Sequence, residues 1–299
     1  MILFHFFRIN NYQEEKQEMK KIRINQWLIL IIVLGISVVP TGCGKIMPED
    51  VISSVITAYS EVKTYSVVEK TRVKKAVDGG DRPGTRFYSQ NCTGMINITS
   101  RQCEMDILQN GFPMQGMQTY IKQYLINEWR YAKADTLDYE DKDHEVWVKV
   151  SLKDEDLNHD DRLWANSNLL GQQIELLSTA KEAVLLKTEK YKGVNTYVLD
   201  IKPDWEVFTD WISGSPPWQH PDRYDFPEQT RHLSIRLWVC KETFLIVKSE
   251  IDTEYEIVSA DSSNVTENFL CEIYFNDYNQ PFEIKLPEEA LKAIRGPIS

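Results

Sequence analysis

Runs of residues alternating in character with a period of two recur along this chain and constrain it most. Tyr65, Val67, Glu69 and Arg72 stand against Ser66, Val68 and Lys70. Further strand-like runs cover 85–107, 118–125, 129–133, 145–152, 183–191, 195–202, 231–240, 244–259 and 265–277. Strands of this kind, half-buried on one side, show such alternation. Short turn signals separate them: Asp78-Gly79-Gly80-Asp81, Asn110-Gly111, Asn127-Glu128 and Lys192-Gly193. A turn of two to four residues can join only antiparallel neighbours. The expected fold is therefore α+β and mainly β, built on an antiparallel sheet.

Helical spacing is confined to a few places. Pro48-Glu49-Asp50 opens a helix, because Pro fits the first turn and acidic residues there offset the dipole. Ile52, Val55, Ile56 and Tyr59 form its apolar stripe. A second helix is expected over 160–179, with Leu163, Leu169, Leu170, Ile174 and Leu177 apolar. Short helices follow from Pro203 to Trp211 and from Glu288 to Ile294. The segment from Ser213 to Pro227 is rich in Pro and Trp and has no period. Loops of that length inside a domain are often binding loops or lids.

The first 45 residues read differently. Lys20, Lys21 and Arg23 precede an apolar run from Trp27 to Val39, and Gly42-Cys43 follows. A basic start, a run of this length and a small residue before the cut are the marks of a secretory signal. The run is shorter than the ~20 residues a spanning helix needs. Met19 is an alternative start for such a signal. Gly42-Cys43 resembles a lipobox, in which the Cys43 thiol takes a diacylglycerol and becomes the first residue. Pro40 stands where that motif usually has an aliphatic residue. Plain secretion and a retained helix are the alternatives. The expected organisation is a signal peptide over 1–42, a lipidated tether over 43–47 and one domain over 48–299. The chain would then be anchored in the cell membrane through Cys43 and face away from the cytoplasm.

Export bears on the remaining cysteines, Cys92, Cys103, Cys240 and Cys271. An even number in an exported domain suggests disulfides. Of three pairings, Cys92 with Cys103 and Cys240 with Cys271 closes the shorter loops; four buried thiols are the alternative. Asn91, Asn97 and Asn264 begin N-x-Thr triplets and are candidate glycosylation sites.

Charge and motif content narrow the function. The net charge is −11. With no basic face evident, nucleic acid is an improbable partner. No G-x-S-x-G elbow, H-E-x-x-H pair or P-loop occurs. His144, His159, His220 and His232 are scattered. The acidic groups around Asp154, Glu155, Asp156, Asp160 and Asp161, and the pair Glu140-Asp141, read as solvated turns. No catalytic residue, metal ligand or cofactor site is assigned, and the protein is not expected to be an enzyme.

Three phrases resemble those of LolA/LppX-like lipoproteins. They are Tyr120 followed by Asn127-Glu128-Trp129-Arg130-Tyr131-Ala132-Lys133, the hairpin from Glu189 to Leu199, and Pro281-Phe282-Glu283-Ile284-Lys285-Leu286-Pro287. Their order, more than any one of them, carries the resemblance, over roughly residues 46–295. It implies a curved antiparallel half-barrel whose concave side is covered by helices, with an apolar cavity that holds acyl chains. On that reading Tyr120, Tyr124, Trp129, Tyr131 and Trp147 line the cavity from the sheet, and Leu169 and Ile174 from the cover. The implied function is binding or carrying a lipid-like ligand. The alternative is a sensor or assembly factor of the same fold that docks a protein partner through the 213–227 loop.

Overall fold

The computed structural model describes residues 46–79, 83–111, 116–136, 146–151, 164–213, 226–258 and 264–295. The signal-like segment with Cys43, the acidic groups at 140–141 and 154–161, and most of the 213–227 loop lie outside them.

Twelve strands form one sheet. They are β1 Thr64–Asp78, β2 Gly84–Asn97, β3 Gln102–Asn110, β4 Gln118–Ile126, β5 Trp129–Thr136, β6 Val148–Ser151, β7 Glu182–Tyr191, β8 Val194–Lys202, β9 Thr230–Cys240, β10 Ile246–Val258, β11 Asn264–Asn276 and β12 Ile294–Arg295. Their order is β12-β6-β5-β4-β3-β2-β1-β11-β10-β9-β8-β7, so the sheet is open, a half-barrel rather than a closed barrel. Every neighbouring pair is antiparallel except β12 with β6. The run expected at 85–107 is two strands, broken where Arg101 takes a φ of 51°. Asn127 and Glu128, at φ 50° and 65°, make the tight β4–β5 turn, and Lys192-Gly193 does the same for β7–β8.

Helices α1 (Pro48–Ser60), α2 (Leu169–Ser178) and α3 (Trp205–Ser213) cover one face of the sheet; α4 (Phe226–Gln229) is a single turn. The expected 160–179 helix is interrupted at Asn168, whose side chain accepts from the Gly171 N–H and caps α2. The buried side of α1 is Val51 and Val55, with Ile52 and Tyr59 partly packed, while Ile56 is 38% exposed. Three of the four expected stripe residues thus meet the core, with Val51 in place of Ile56.

Alternation decides which side chains the helices meet. In β1, Tyr65, Val67, Glu69, Thr71 and Val73 point one way; Arg72 belongs with Lys70 on the other, contrary to the sequence grouping. Paired residues of β11 repeat the pattern: Phe269, Cys271, Ile273 and Phe275 are buried while Leu270, Glu272 and Tyr274 are not. These join Ile96, Leu125, Leu199, Ile235, Leu237 and Ile251 with Leu170, Leu176, Phe208 and Ile212 of the helices in one core. Polar bonds pin the cover. The Tyr65 hydroxyl donates to Asn168 Oδ1 (2.9 Å) and accepts from the Leu170 N–H (3.2 Å). Ser249 donates to Gln173 Oε1 at 2.6 Å. Packing is tight enough at Gly94 that even a methyl there would press on the Glu104 carbonyl oxygen, at 3.0 Å.

A second, smaller core lies on the other face. Tyr124 and Trp147 pack there with Ile284, Ala290 and Ala293 from the C-terminal segment, whose expected short helix is a 3-10 turn over Glu288–Lys292 and which ends as β12 on the β6 edge; apart from that turn, the three main helices leave this face bare.

Candidate functional site

The helix-free face carries a groove of about 770 Å³. That is within the range of small-molecule sites. Its residues come from five strands and one turn: Arg72 and Lys74 of β1, Phe87 and Ser89 of β2, Asn110 of β3, Asp252 of β10, Asn268 and Leu270 of β11, and Gly111, Gly116 and Met117 between β3 and β4. Val73, Tyr88 and Phe269 form its floor, their side chains being on the helix-covered side.

Register brings these residues together. Asp252 stands opposite Leu270, Leu270 opposite Arg72, Arg72 opposite Ser89 and Ser89 opposite Asn110. The next row runs Glu254, Asn268, Lys74 and Phe87. Phe87 is 61% exposed, the most exposed aromatic ring among the described residues. Gly111 holds the groove's end in shape. At its φ of 83° a Cβ would fall 2.3 Å from the Phe87 carbonyl oxygen, so a side chain there pushes β2 and β3 apart. Arg72 pairs with Glu272 at 3.2 Å. Lys74, Asp252 and Glu254 have no ion-pair partner among the described residues.

The residues expected to line a cavity under the helices divide sharply. Leu169 and Ile174 do face the sheet from α2 and are buried in the main core. Tyr120, Tyr124, Trp129, Tyr131 and Trp147 do not share that face. Tyr124 pairs with Tyr131 and with Glu104, on the side away from Cys103 and Leu125, which face the helices. Tyr124 and Trp147 meet at 5.8 Å between ring centroids beneath the C-terminal segment, with Tyr131 packed on them. Trp129 lies under the Lys149 ammonium, and Tyr120 is 36% exposed and bonded to Asp106. The aromatic set builds the second core and the outer surface. The groove described above lies on the face away from these helices, and Leu169 and Ile174 belong to the core beneath them.

The expected disulfides are absent: Cys92, Cys103, Cys240 and Cys271 are buried free thiols. Cys103 lies opposite Ile96, four residues along β2 from Cys92, roughly 13 Å at strand rise. Cys271 aligns through Ile251 with Ile235, five residues along β9 from Cys240. Neither gap is within the reach of a disulfide, which holds Cα atoms within about 7 Å. Burial pushes the Cys103 thiol up to about 11 and raises Cys92 and Cys271 as well. At neutral pH these are inert thiols. Of the candidate glycosylation sites, Asn91 and Asn264 are exposed, and Asn97 is half-buried with its Oδ1 accepting from the Ser100 N–H.

Sequence reasoning also missed a buried polar chain on the helix-covered face. Thr71 donates to Glu69 Oε1 (2.8 Å), Gln90 donates to the same oxygen (3.4 Å), and Tyr88 and Gln109 both donate to Gln90 Oε1. Burial raises the Glu69 carboxyl above its usual range, and the bonds from Thr71 and Gln90 only partly oppose this. Six residues farther along the same strand pair, Glu267 is 3% exposed and bound to Lys75 at 2.5 Å. These groups satisfy one another and present nothing to a ligand. Among the described residues no group of three His, Cys, Asp or Glu could hold a metal ion, and no helix is long and apolar enough to cross a membrane.

No curated protein matches the chain. Among solved structures it is similar to the lipoprotein LppX of Mycobacterium tuberculosis, at 12% identity and TM-score 0.40, over 80% of this chain and 100% of that one. It is similar to LprF from Mycobacterium bovis, at 14% identity and TM-score 0.42, over 82% and 99%. A DUF1329 family protein from Desulfovibrio piger matches at 10% identity and TM-score 0.23, over 79% and 95%. Over residues 47–295 the chain matches the family of unknown function DUF6612, and it belongs to that family.

Proposed function

We propose that this protein is an exported, lipid-anchored, non-enzymatic binding protein that holds a lipid-like amphiphile in the groove on the helix-free face. The observation that carries the reading is the groove itself, with Phe87 exposed and Leu270 and Met117 half-buried in a concave surface rimmed by polar groups. Isolated exposed apolar residues need no explanation, but an aromatic ring set in a depression of this size does.

Magnitudes limit what the apolar part can do. Roughly eight methylenes, half-covered, contribute about 3 kcal/mol at ~0.8 kcal/mol each when fully buried. Association costs about 4–15 kcal/mol in lost freedom. The tail alone therefore does not hold the ligand, and polar contacts at the rim must add to it. Export and anchoring rest on Lys20, Lys21 and Arg23, the Trp27–Val39 run and Gly42-Cys43.

Native mass spectrometry of the full chain carrying Cys43→Ala, purified from its membrane fraction and gently delipidated, tests the binding. Bound amphiphile lost in Phe87→Ser supports it; a ligand-free protein that takes up no added alkyl amphiphile overturns it. Incorporation of a labelled fatty acid into the wild type but not into Cys43→Ala tests the anchor separately.

A further inference from the structure

Charge on the helix-free face is sorted by strand. The outward positions of β10 are Lys248, Glu250, Asp252, Glu254 and Glu256, while those of β1 are Lys70, Arg72, Lys74 and Ala76. Between them, at the groove, β11 contributes only Leu270 and Asn268. Much of the rest is internally neutralised. Glu250 holds Lys248 at 2.7 Å, Glu256 holds Arg231 at 2.7 Å and Glu272 holds Arg72 at 3.2 Å. What remains without a partner among the described residues is Asp252 and Glu254 on one side and Lys74 on the other, facing each other across one neutral strand. On the far side of β1 the Lys74 row turns apolar, with Phe87 of β2 and then Met117, while the Arg72 row continues with polar Ser89 and Asn110.

Read across the strands, the order is anionic, neutral, cationic, apolar. The geometry points to an amphiphile of the complementary order: a terminal cation over Asp252 and Glu254, an anionic group at Lys74, and an alkyl tail over Phe87 and Met117. This is a zwitterionic lipid whose anion lies between its tail and its cation. The span fits. Two strand spacings separate β10 from β1, about 10 Å. A headgroup with charges roughly 4–5 Å apart, and a charge-assisted contact of about 3 Å at each end, covers it. An anionic amphiphile without the terminal cation leaves Asp252 and Glu254 unmatched and close to its own charge.

The inference rests on the groove being a ligand site, and the test separates the two. Four probes are titrated calorimetrically into the full chain carrying Cys43→Ala, each below its micelle concentration. Octylphosphocholine has the matching order of tail, anion and cation. An octyl sulfobetaine has the same tail and net charge in the reverse order. Octyl glucoside has the tail and no charge, and free phosphocholine has the headgroup and no tail. Octylphosphocholine is expected to bind roughly five-fold more tightly than the sulfobetaine, as suits two partly exposed charge pairs. The preference should shrink in 1 M salt and vanish in Asp252→Asn/Glu254→Gln, isosteric changes at one exposed and one half-buried outward position that make no ion pair among the described residues. Equal binding of the two zwitterions overturns the ordering but leaves the groove as an apolar site. Free phosphocholine binding as well as the octyl compound overturns the amphiphile reading while the charge order stands. No binding by any probe overturns both.

Discussion

The helix-covered and helix-free faces of the sheet are made from the same strands, residue by alternate residue, yet they are stabilised differently. On the covered face Tyr65, Leu199, Ile235, Leu237, Ile251 and Ile273 are at most 1% exposed and interlock with three helices. On the other face, outside the Tyr124–Trp147 core, the contacts are mostly charged or aromatic pairs. Lys248, for example, lies 4.6 Å from the Trp238 ring and bridges Glu250 and Glu272. The covered face supplies stability through removed apolar surface. Away from its small second core the open face is freer to vary in chemistry, because less apolar burial depends on it. A binding groove on the open face costs the protein little, whereas one beneath the helices would remove core.

The contrast is sharpest in large-to-small substitutions. Leu199→Ala, at a position with no exposure, should destabilise by about 2–5 kcal/mol, since it leaves a cavity among rigid neighbours. Leu270→Ala on the open face should cost about 1 kcal/mol or less. Urea unfolding midpoints at constant slope decide this, and equal costs for the two would break the comparison. Next comes Tyr65→Phe. It keeps the ring but strips the Asn168 side chain and the Leu170 amide of a partner in a buried setting, for an expected loss of about 1–3 kcal/mol. Tyr120→Phe, whose hydroxyl meets Asp106 on the outside, should be nearly neutral in the same assay.

Glu69 gives the covered face a pH signature. Its folded carboxyl titrates above the usual range because burial disfavours the charged form. The folded state thus binds a proton more tightly than the unfolded one does. Stability is fully present below the unfolded pKa of about 4.3 and is lost as pH rises through the folded value. Glu272 and Asp204 run the other way. Burial alone would raise Glu272, but Lys248 and Tyr274 outweigh it; Lys181 lowers Asp204. Their contributions are lost as pH falls. The difference between wild type and Glu69→Gln isolates the one group. It should be smallest near pH 4 and grow towards pH 8, with the variant the more stable at the upper end. A difference that stays constant over that range would show that Glu69 is not held protonated by burial.

Strand positions and turns were legible in the sequence because period and turn chemistry are local. Asn127-Glu128 and Lys192-Gly193 both sit where they were expected, at positive φ. The facing of β4 was not. Its even positions hold Tyr120, Lys122 and Tyr124, and its odd positions hold Ile121, Gln123 and Leu125. Either set passes as the core set, and a choice wrong by one residue inverts every side chain. What settles it is Tyr124 packing on Ile284 and Trp147, a contact made by the far end of the chain. The cysteines misled for a related reason: closeness in sequence does not measure offset along paired strands. The groove was illegible because Asp252, Leu270, Arg72, Lys74 and Phe87 meet only through the β10–β11–β1–β2 register, which no local pattern reveals.

The smallest effect on stability should come from the residue with the largest effect on binding. Phe87→Ser removes a ring that is 61% exposed, so the unfolding midpoint should move by no more than the equivalent of about 0.5 kcal/mol. Its neighbour Tyr88, at 9% exposure and bonded to Gln90, should not tolerate the same change and should lose several times as much. Only Phe87→Ser should abolish octyl-probe binding with the midpoint unchanged. Adjacent residues thus offer a direct comparison of the faces, because backbone, strand and turn are shared and only the side-chain direction differs. If Phe87→Ser unfolds the protein as readily as Tyr88→Ser, the ring is part of the core and the open face is not a separate functional surface.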